Sequence, residues 1–173
     1  MHELAVTAMG GDRPGIVAAI AEVLHQRGGN VEDSAMTVLG GHFVVMLLVA
    51  TEDEPDALAQ ALTEATSDLD LTITVNPTGE GHDSPAPTHV LSVYGADKPG
   101  ILAGVTRCLA DLRVNITDVE SRLLSPGDAP VYALVVECSI ESGDIGPVED
   151  GVAATCAVLG VDHSLRALDT ETY

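Results

Sequence analysis

The chain repeats itself. Displaced by 85 residues, the segment GGDRPGIVAAIAEVLHQRGGNVED, Gly10 to Asp33, aligns without a gap on GADKPGILAGVTRCLADLRVNITD, Gly95 to Asp118. Nine of these 24 positions are identical, among them Gly10/Gly95, Asp12/Asp97, Pro14/Pro99, Gly15/Gly100, Ile16/Ile101 and Asn30/Asn115. Stacked repeat units run to roughly 20–50 residues, so this period describes a duplicated domain. Between the copies, Asn76 to Pro87 reads NPTGEGHDSPAP and has no apolar periodicity, the composition of a linker. The expected organisation is a first domain over residues 1–77, a linker over 78–87 and a second domain over 88–173.

Each copy reads as β-α-β-β-α-β. In the first, residues 3–9 form a strand ending at Gly10-Gly11, and Pro14 suits the first turn of a helix, where Ile16, Val17, Ile20, Val23 and Leu24 recur at helical spacing. Gly28-Gly29 stops that helix, residues 31–39 form a strand, and Gly40-Gly41 turns the chain into a nearly continuous apolar strand over 42–51. Pro55 opens a second helix with Leu58, Leu62 and Ala65 on one face, and Leu69, Leu71, Ile73 and Val75 alternate as a last, half-buried strand. The second copy repeats the order: strand 88–95, helix 99–112, strand 115–124, turn 125–130, strand 131–140, helix 147–159 and strand 161–168. This is the split βαβ, ferredoxin-like topology, an α+β class with four antiparallel strands and both helices on one face. Residues 43–50 are apolar on both side-chain parities. That strand needs cover on both faces, which two helices on one side do not supply, so an interface between domains and a homodimer are expected.

Composition removes several function classes. The formal net charge is −20 with only seven Lys and Arg. Phosphate backbones and anionic membranes need cations, so direct binding to nucleic acid or membrane is excluded, and the acidity serves solubility or meets a basic protein partner. No stretch reaches the length of a membrane span, and the N-terminal residues lack a signal-peptide pattern. Cys108, Cys138 and Cys156 are odd in number and form no CxxC, which reads as buried free thiols in a reducing cytoplasm.

The duplicated strand-to-helix junction is the candidate site. A helix N-terminus presents unpaired N–H groups and a partial positive charge that attract a carboxylate. Gly15 and Gly100 lack a Cβ and let a ligand approach the backbone, while Asp12 and Asp97 offer acceptors for an ammonium group. Asn30 and Asn115, read as beginning the second strand beside the loop, donate and accept. Anion site, cation site and amide together suit an α-amino acid. Each feature also has a structural reading: Asp12 as a helix cap, Gly15 as a packing residue and Asn30 as a turn former.

The motif Gly-x-Asp-Arg/Lys-Pro-Gly-Ile-Val/Leu, then an amphipathic helix, then Gly/Val-Asn-Val/Ile-x-Asp, resembles the ACT domain and covers nearly the whole chain, twice. The tandem arrangement resembles the glycine cleavage system transcriptional repressor family. The resemblance implies ligand contacts at Asp12, Pro14, Gly15, Ile16 and Asn30, and at Asp97, Pro99, Gly100, Ile101 and Asn115. It implies an amino-acid ligand held between two ACT units and a protein partner, a transcription factor or an enzyme. The copies diverge, since Gly28-Gly29 becomes Arg113-Val114 and the second hairpin is longer.

No catalytic motif is present: there is no GxSxG, Walker loop or HExxH. The six histidines form no i,i+4 pair, so no metal or cofactor is expected. Three functions stay open on this reading: a non-catalytic amino-acid sensor acting through a protein partner, a ligand-independent dimerisation module, and a regulatory subunit acting in trans on a metabolic enzyme.

Overall fold

A computed structural model describes residues 2–79, 85–124, 130–141 and 145–168. The chain divides into two compact units, residues 1–82 and 83–173. In the first, β1 (His2–Gly11), α1 (Ile16–Gln26), β2 (Asn30–Leu39), β3 (His42–Thr51), α2 (Pro55–Ala65) and β4 (Thr72–Pro77) follow in order. The second repeats them as β5 (His89–Ala96), α3 (Ile101–Asp111), β6 (Asn115–Leu123), β7 (Val131–Ser139), α4 (Ile145–Leu159) and β8 (Asp162–Ala167). The sheets run β2-β3-β1-β4 and β6-β7-β5-β8, with every neighbouring pair antiparallel. First and third strands of each copy are therefore central, as the ferredoxin-like reading requires.

Alternation places the core. Leu4, Val6 and Ala8 of β1 and Phe43, Val45, Leu47 and Val49 of β3 are buried on the helix side, against Ile16, Ile20, Val23 and Leu24 of α1 and Leu58 and Leu62 of α2. The second core follows the same plan, with Cys138 and Cys156 inside it. All three cysteines are free. Burial pushes the Cys138 and Cys156 thiols up, so they stay protonated and unreactive at neutral pH.

Three sequence expectations need correcting at element ends. Gly10 and Gly11 belong to β1 rather than ending it, because they pair with Phe43 and His42. Leu69 and Leu71 precede β4: a turn closed by Leu69 N–H donating to the Thr66 carbonyl (2.9 Å), with Asp70 at φ 54°, interrupts the extended run. Both leucines still pack on the core. Pro14 and Pro99 stand before their helices, which begin at Ile16 and Ile101. The expected turn over 125–130 lies outside the described residues except for Pro130.

The divergence from Gly28-Gly29 to Arg113-Val114 preserves one local geometry. Gly28 (φ 73°) and Gly29 donate to the His25 and Leu24 carbonyls, and Arg113 (φ 57°) and Val114 donate to Ala110 and Leu109. Both are the 5→2 and 6→1 bonds of a Schellman C-cap. The second copy keeps the motif with arginine in the left-handed region.

The two glycines that open the duplicated motif act through space. A Cβ on Gly10 would stand 2.7 Å from Leu71 Cδ2 and 2.9 Å from the Asp70 carbonyl oxygen, and one on Gly95 would stand 2.6 Å from Val161 Cγ1. Central strand and returning loop come into close contact at these glycines. Gly10→Ala and Gly95→Ala are each expected to cost about 1–3 kcal/mol, whereas Arg113→Gly is expected to gain about 1 kcal/mol by relieving the left-handed backbone. Urea unfolding of the three variants checks both signs.

Candidate functional site

The Pro-Gly loop has the same conformation in both units. Gly15 (φ 98°) and Gly100 (φ 95°) are the N-caps of α1 and α3. The first intrahelical bonds are Ala19 N–H to the Gly15 carbonyl (2.9 Å) and Gly104 N–H to the Gly100 carbonyl (2.8 Å). The N–H groups of residues 16–18 and 101–103 therefore stand outside the helical ladder. A Cβ on either cap glycine would meet nothing within 4 Å, so these glycines are required by φ and not by packing.

Reading Asp12 as a helix cap does not hold, because neither helix has a side-chain cap bond. Both aspartates are exposed. Their backbones hold the loop to the neighbouring hairpin: Asp12 N–H donates to the Gly41 carbonyl (2.9 Å) and Asp97 N–H to the Pro130 carbonyl (3.2 Å). The adjacent cations point away toward the opposite turn. Arg13 Nη1 donates to the Asp68 carbonyl at 3.4 Å, and Lys98 Nζ lies 3.6 Å from the Cβ position of Gly160. In sequence, Arg13 and Lys98 share only the motif position after the aspartate; their common reach comes from the fold. The carboxylates of Asp12 and Asp97 are thus left facing solvent beside a helix N-terminus.

Pro14, Gly15, Pro99 and Gly100 are exposed in the loop. Ile16 and Ile101 are 1% and 2% exposed, so their side chains belong to the core and only their N–H groups face a ligand at the loop. Asn30 and Asn115 overturn the expectation that they lie beside the loop. Gly11 pairs with His42 at one end of β3, whereas Asn30 pairs with Ala50 near the other. Eight residues of strand, about 27 Å, separate the two ends. In the second copy Ala96 pairs with Val131 and Asn115 with Ser139, again eight residues apart. The reason is topological: the helix carries the chain back along the sheet before the second strand begins. One unit therefore assembles Asp12, Pro14, Gly15 and the N–H of Ile16, and leaves Asn30 at the far end.

β2, which carries Asn30, is an edge strand. All ten of its residues are exposed, though Val31, Ala35, Met36, Val38 and Leu39 are apolar. Such an edge is open to pairing with another strand. On the helix-free face of the same sheet, Met9 and Met46 are about half exposed. The expected uncovered apolar parity of β3 is therefore present.

Three comparisons place this geometry among known proteins. A family model, the ACT domain, matches residues 2–76 and 88–165. The glycine cleavage system transcriptional repressor of Escherichia coli (strain K12) is 29% identical over 174 residues, spanning 97% of this chain and 91% of its own. Phosphoserine phosphatase SerB2 of Mycobacterium tuberculosis is 28% identical over 166 residues, which span 93% of this chain and 40% of the phosphatase. Among solved structures, an unknown protein from Galdieria sulphuraria superposes with a TM-score of 0.84 at 25% identity, covering 96% of this chain and 98% of its own. Among the described residues, no helix is long and apolar enough to cross a membrane.

The loop geometry separates backbone from side-chain roles. Gly15→Ala and Gly100→Ala are each expected to cost about 1–2 kcal/mol through the left-handed φ. Asp12→Ala and Asp97→Ala, which remove no cap bond, are expected to stay within about 0.5 kcal/mol of the parent. Chemical denaturation distinguishes the two classes.

Proposed function

Since the chain belongs to the ACT domain family in both of its halves, we propose that it is a non-catalytic regulator. It senses an amino acid where two ACT units meet, and it passes the signal to a protein partner. The observation that carries this reading is the duplicated loop. Each copy holds free helix N–H groups for a carboxylate beside an aspartate, Asp12 or Asp97, with no cap bond to make.

The site residues extend this proposal. Asn30 and Asn115 lie at the far ends of their own sheets, so they serve a ligand at a Pro-Gly loop only if that loop belongs to another unit. Antiparallel pairing of two β2 edges brings the start of one strand to the end of the other. In a homodimer so paired, Asn30 of one copy approaches the Asp12–Gly15 loop of its partner. Binding energy is then linked to assembly, since each ligand contacts two edges.

The output is a protein–protein contact. A chain with net charge −20 and seven cations is repelled by nucleic acid. The similarity to a glycine cleavage system transcriptional repressor supports a transcriptional output in amino-acid or one-carbon metabolism, exerted through a transcription factor. A second reading, regulation of a metabolic enzyme in trans, is favoured by the similarity of nearly the whole chain to 40% of a phosphoserine phosphatase. A ligand-independent dimerisation module remains the bland alternative.

Thermal denaturation of the chain against each of the twenty amino acids tests the proposal. One or two amino acids are expected to stabilise the fold by about 2–3 kcal/mol at a hundredfold excess over Kd, with the gain lost in Asp12→Ala, Asp97→Ala or both. No shift with any amino acid at millimolar concentration removes the sensor reading in favour of the dimerisation module.

A further inference from the structure

The helix-free faces of the two sheets, built on one plan, have diverged in opposite ways. Register makes the positions comparable. In the first unit Met9 and Thr37 both pair with Val44, and Thr7 and Ala35 both pair with Met46. In the second, Tyr94 and Arg122 both pair with Ala133, and Ser92 and Glu120 both pair with Val135. The first set is uncharged and has valine at its centre, Val44, with Thr7, Met9, Ala35, Thr37 and Met46 around it. The second has an alanine at its centre, an aromatic ring on one side and a pair of opposite charges on the other.

The result is a basin of about 300 Å³ lined by Tyr94, Glu120, Arg122, Leu124, Ala133 and Val135. That volume is at the lower end of small-molecule sites, the scale of a single metabolite rather than a nucleotide. Its floor and walls are apolar except at one corner, where Arg122 Nη2 and Glu120 Oε2 are 3.6 Å apart and both side chains are well exposed. An exposed pair of this kind contributes little, about 0–1 kcal/mol, so separating it to admit a ligand costs little. A guanidinium and a carboxylate at one corner of an apolar basin match a molecule with a carboxylate and an ammonium on one carbon and a hydrocarbon chain beyond. Tyr94 is 41% exposed and offers its ring to that chain.

We propose that this basin, formed by residues of the second unit, is a second small-molecule site for the zwitterion of an α-amino acid with an apolar side chain. Arg122 takes the carboxylate, Glu120 takes the ammonium group, and Tyr94, Leu124 and Ala133 take the side chain. The site is separate from the Pro-Gly loops and does not depend on them.

Nitrogen-15 NMR spectra of the full chain, titrated with L-leucine, test the assignment. Saturable shifts are expected at residues 94, 120, 122, 133 and 135. The analogues 3-methylbutylamine, lacking the carboxylate, and 4-methylpentanoate, lacking the ammonium group, are expected to bind about tenfold more weakly or worse, as are Arg122→Gln and Glu120→Gln with leucine itself. Ala133→Val, which imports the first unit's Val44, is expected to abolish binding with little change in Tm, and Asp97→Ala to leave it intact. Should Ala133→Val fail to fold, the two exposed-residue variants decide. Absence of saturable shifts, shifts confined to residues 12–16 and 97–101, or affinities unchanged by both Arg122→Gln and Glu120→Gln would each overturn the proposal. Because Asp12→Ala and Asp97→Ala report on the loops alone, failure here and failure of the loop sensor are separately visible.

Discussion

The antiparallel register of β1 on β3 fixes where everything else in each unit stands. Gly11 opposite His42 and His2 opposite Thr51 bring the end of the first strand to the hairpin, where the Gly41 carbonyl receives the Asp12 N–H. The helix then has to return along the sheet, so the second strand starts at the opposite end. This one constraint puts a free helix N-terminus and an aspartate at one end of the sheet and an asparagine at the other. In the proposed homodimer, pairing of two edges brings these two groups together.

Duplication shows which parts of that frame are physically required. Gly10 and Gly95 recur because a Cβ would collide with the returning loop, and Gly15 and Gly100 recur because φ is near +95° to +98°. Gly28-Gly29 does not recur, and the Schellman cap survives with Arg113 at the left-handed position. The helix-free faces are under no such constraint. One is uncharged at the compared positions, with Met9 and Met46 exposed, and the other carries Tyr94, Glu120 and Arg122 around a hollow.

Much of the fold was legible because apolar period and punctuation agreed in both copies. Phe43, Val45, Leu47 and Val49 alternate into the core, and Ile16, Ile20, Val23 and Leu24 recur at helical spacing. Asp70 defeated the strand reading at Leu69 and Leu71, because no local pattern announces a single residue at positive φ. The loop was legible as a strand-to-helix junction, and both copies place a glycine, Gly15 or Gly100, at the helix N-cap there. The placement of Asn30 was not, because spacing along the chain says nothing about which end of a sheet a strand begins on. Tyr94, Glu120, Arg122 and Ala133 come from three strands, and only the register brings them together.

Asn30 and Asp12 are separated within one unit, and the proposed edge pairing is what brings them together. Sedimentation velocity across a range of protein concentrations, with and without the amino acid that stabilises the fold, measures this directly. The expected result is a dimer whose dissociation constant falls when the amino acid is bound, with that linkage lost in Asn30→Ala combined with Asn115→Ala. A monomer at saturating amino acid, or a dimer whose affinity ignores it, would contradict the claim that the site is completed between paired edges.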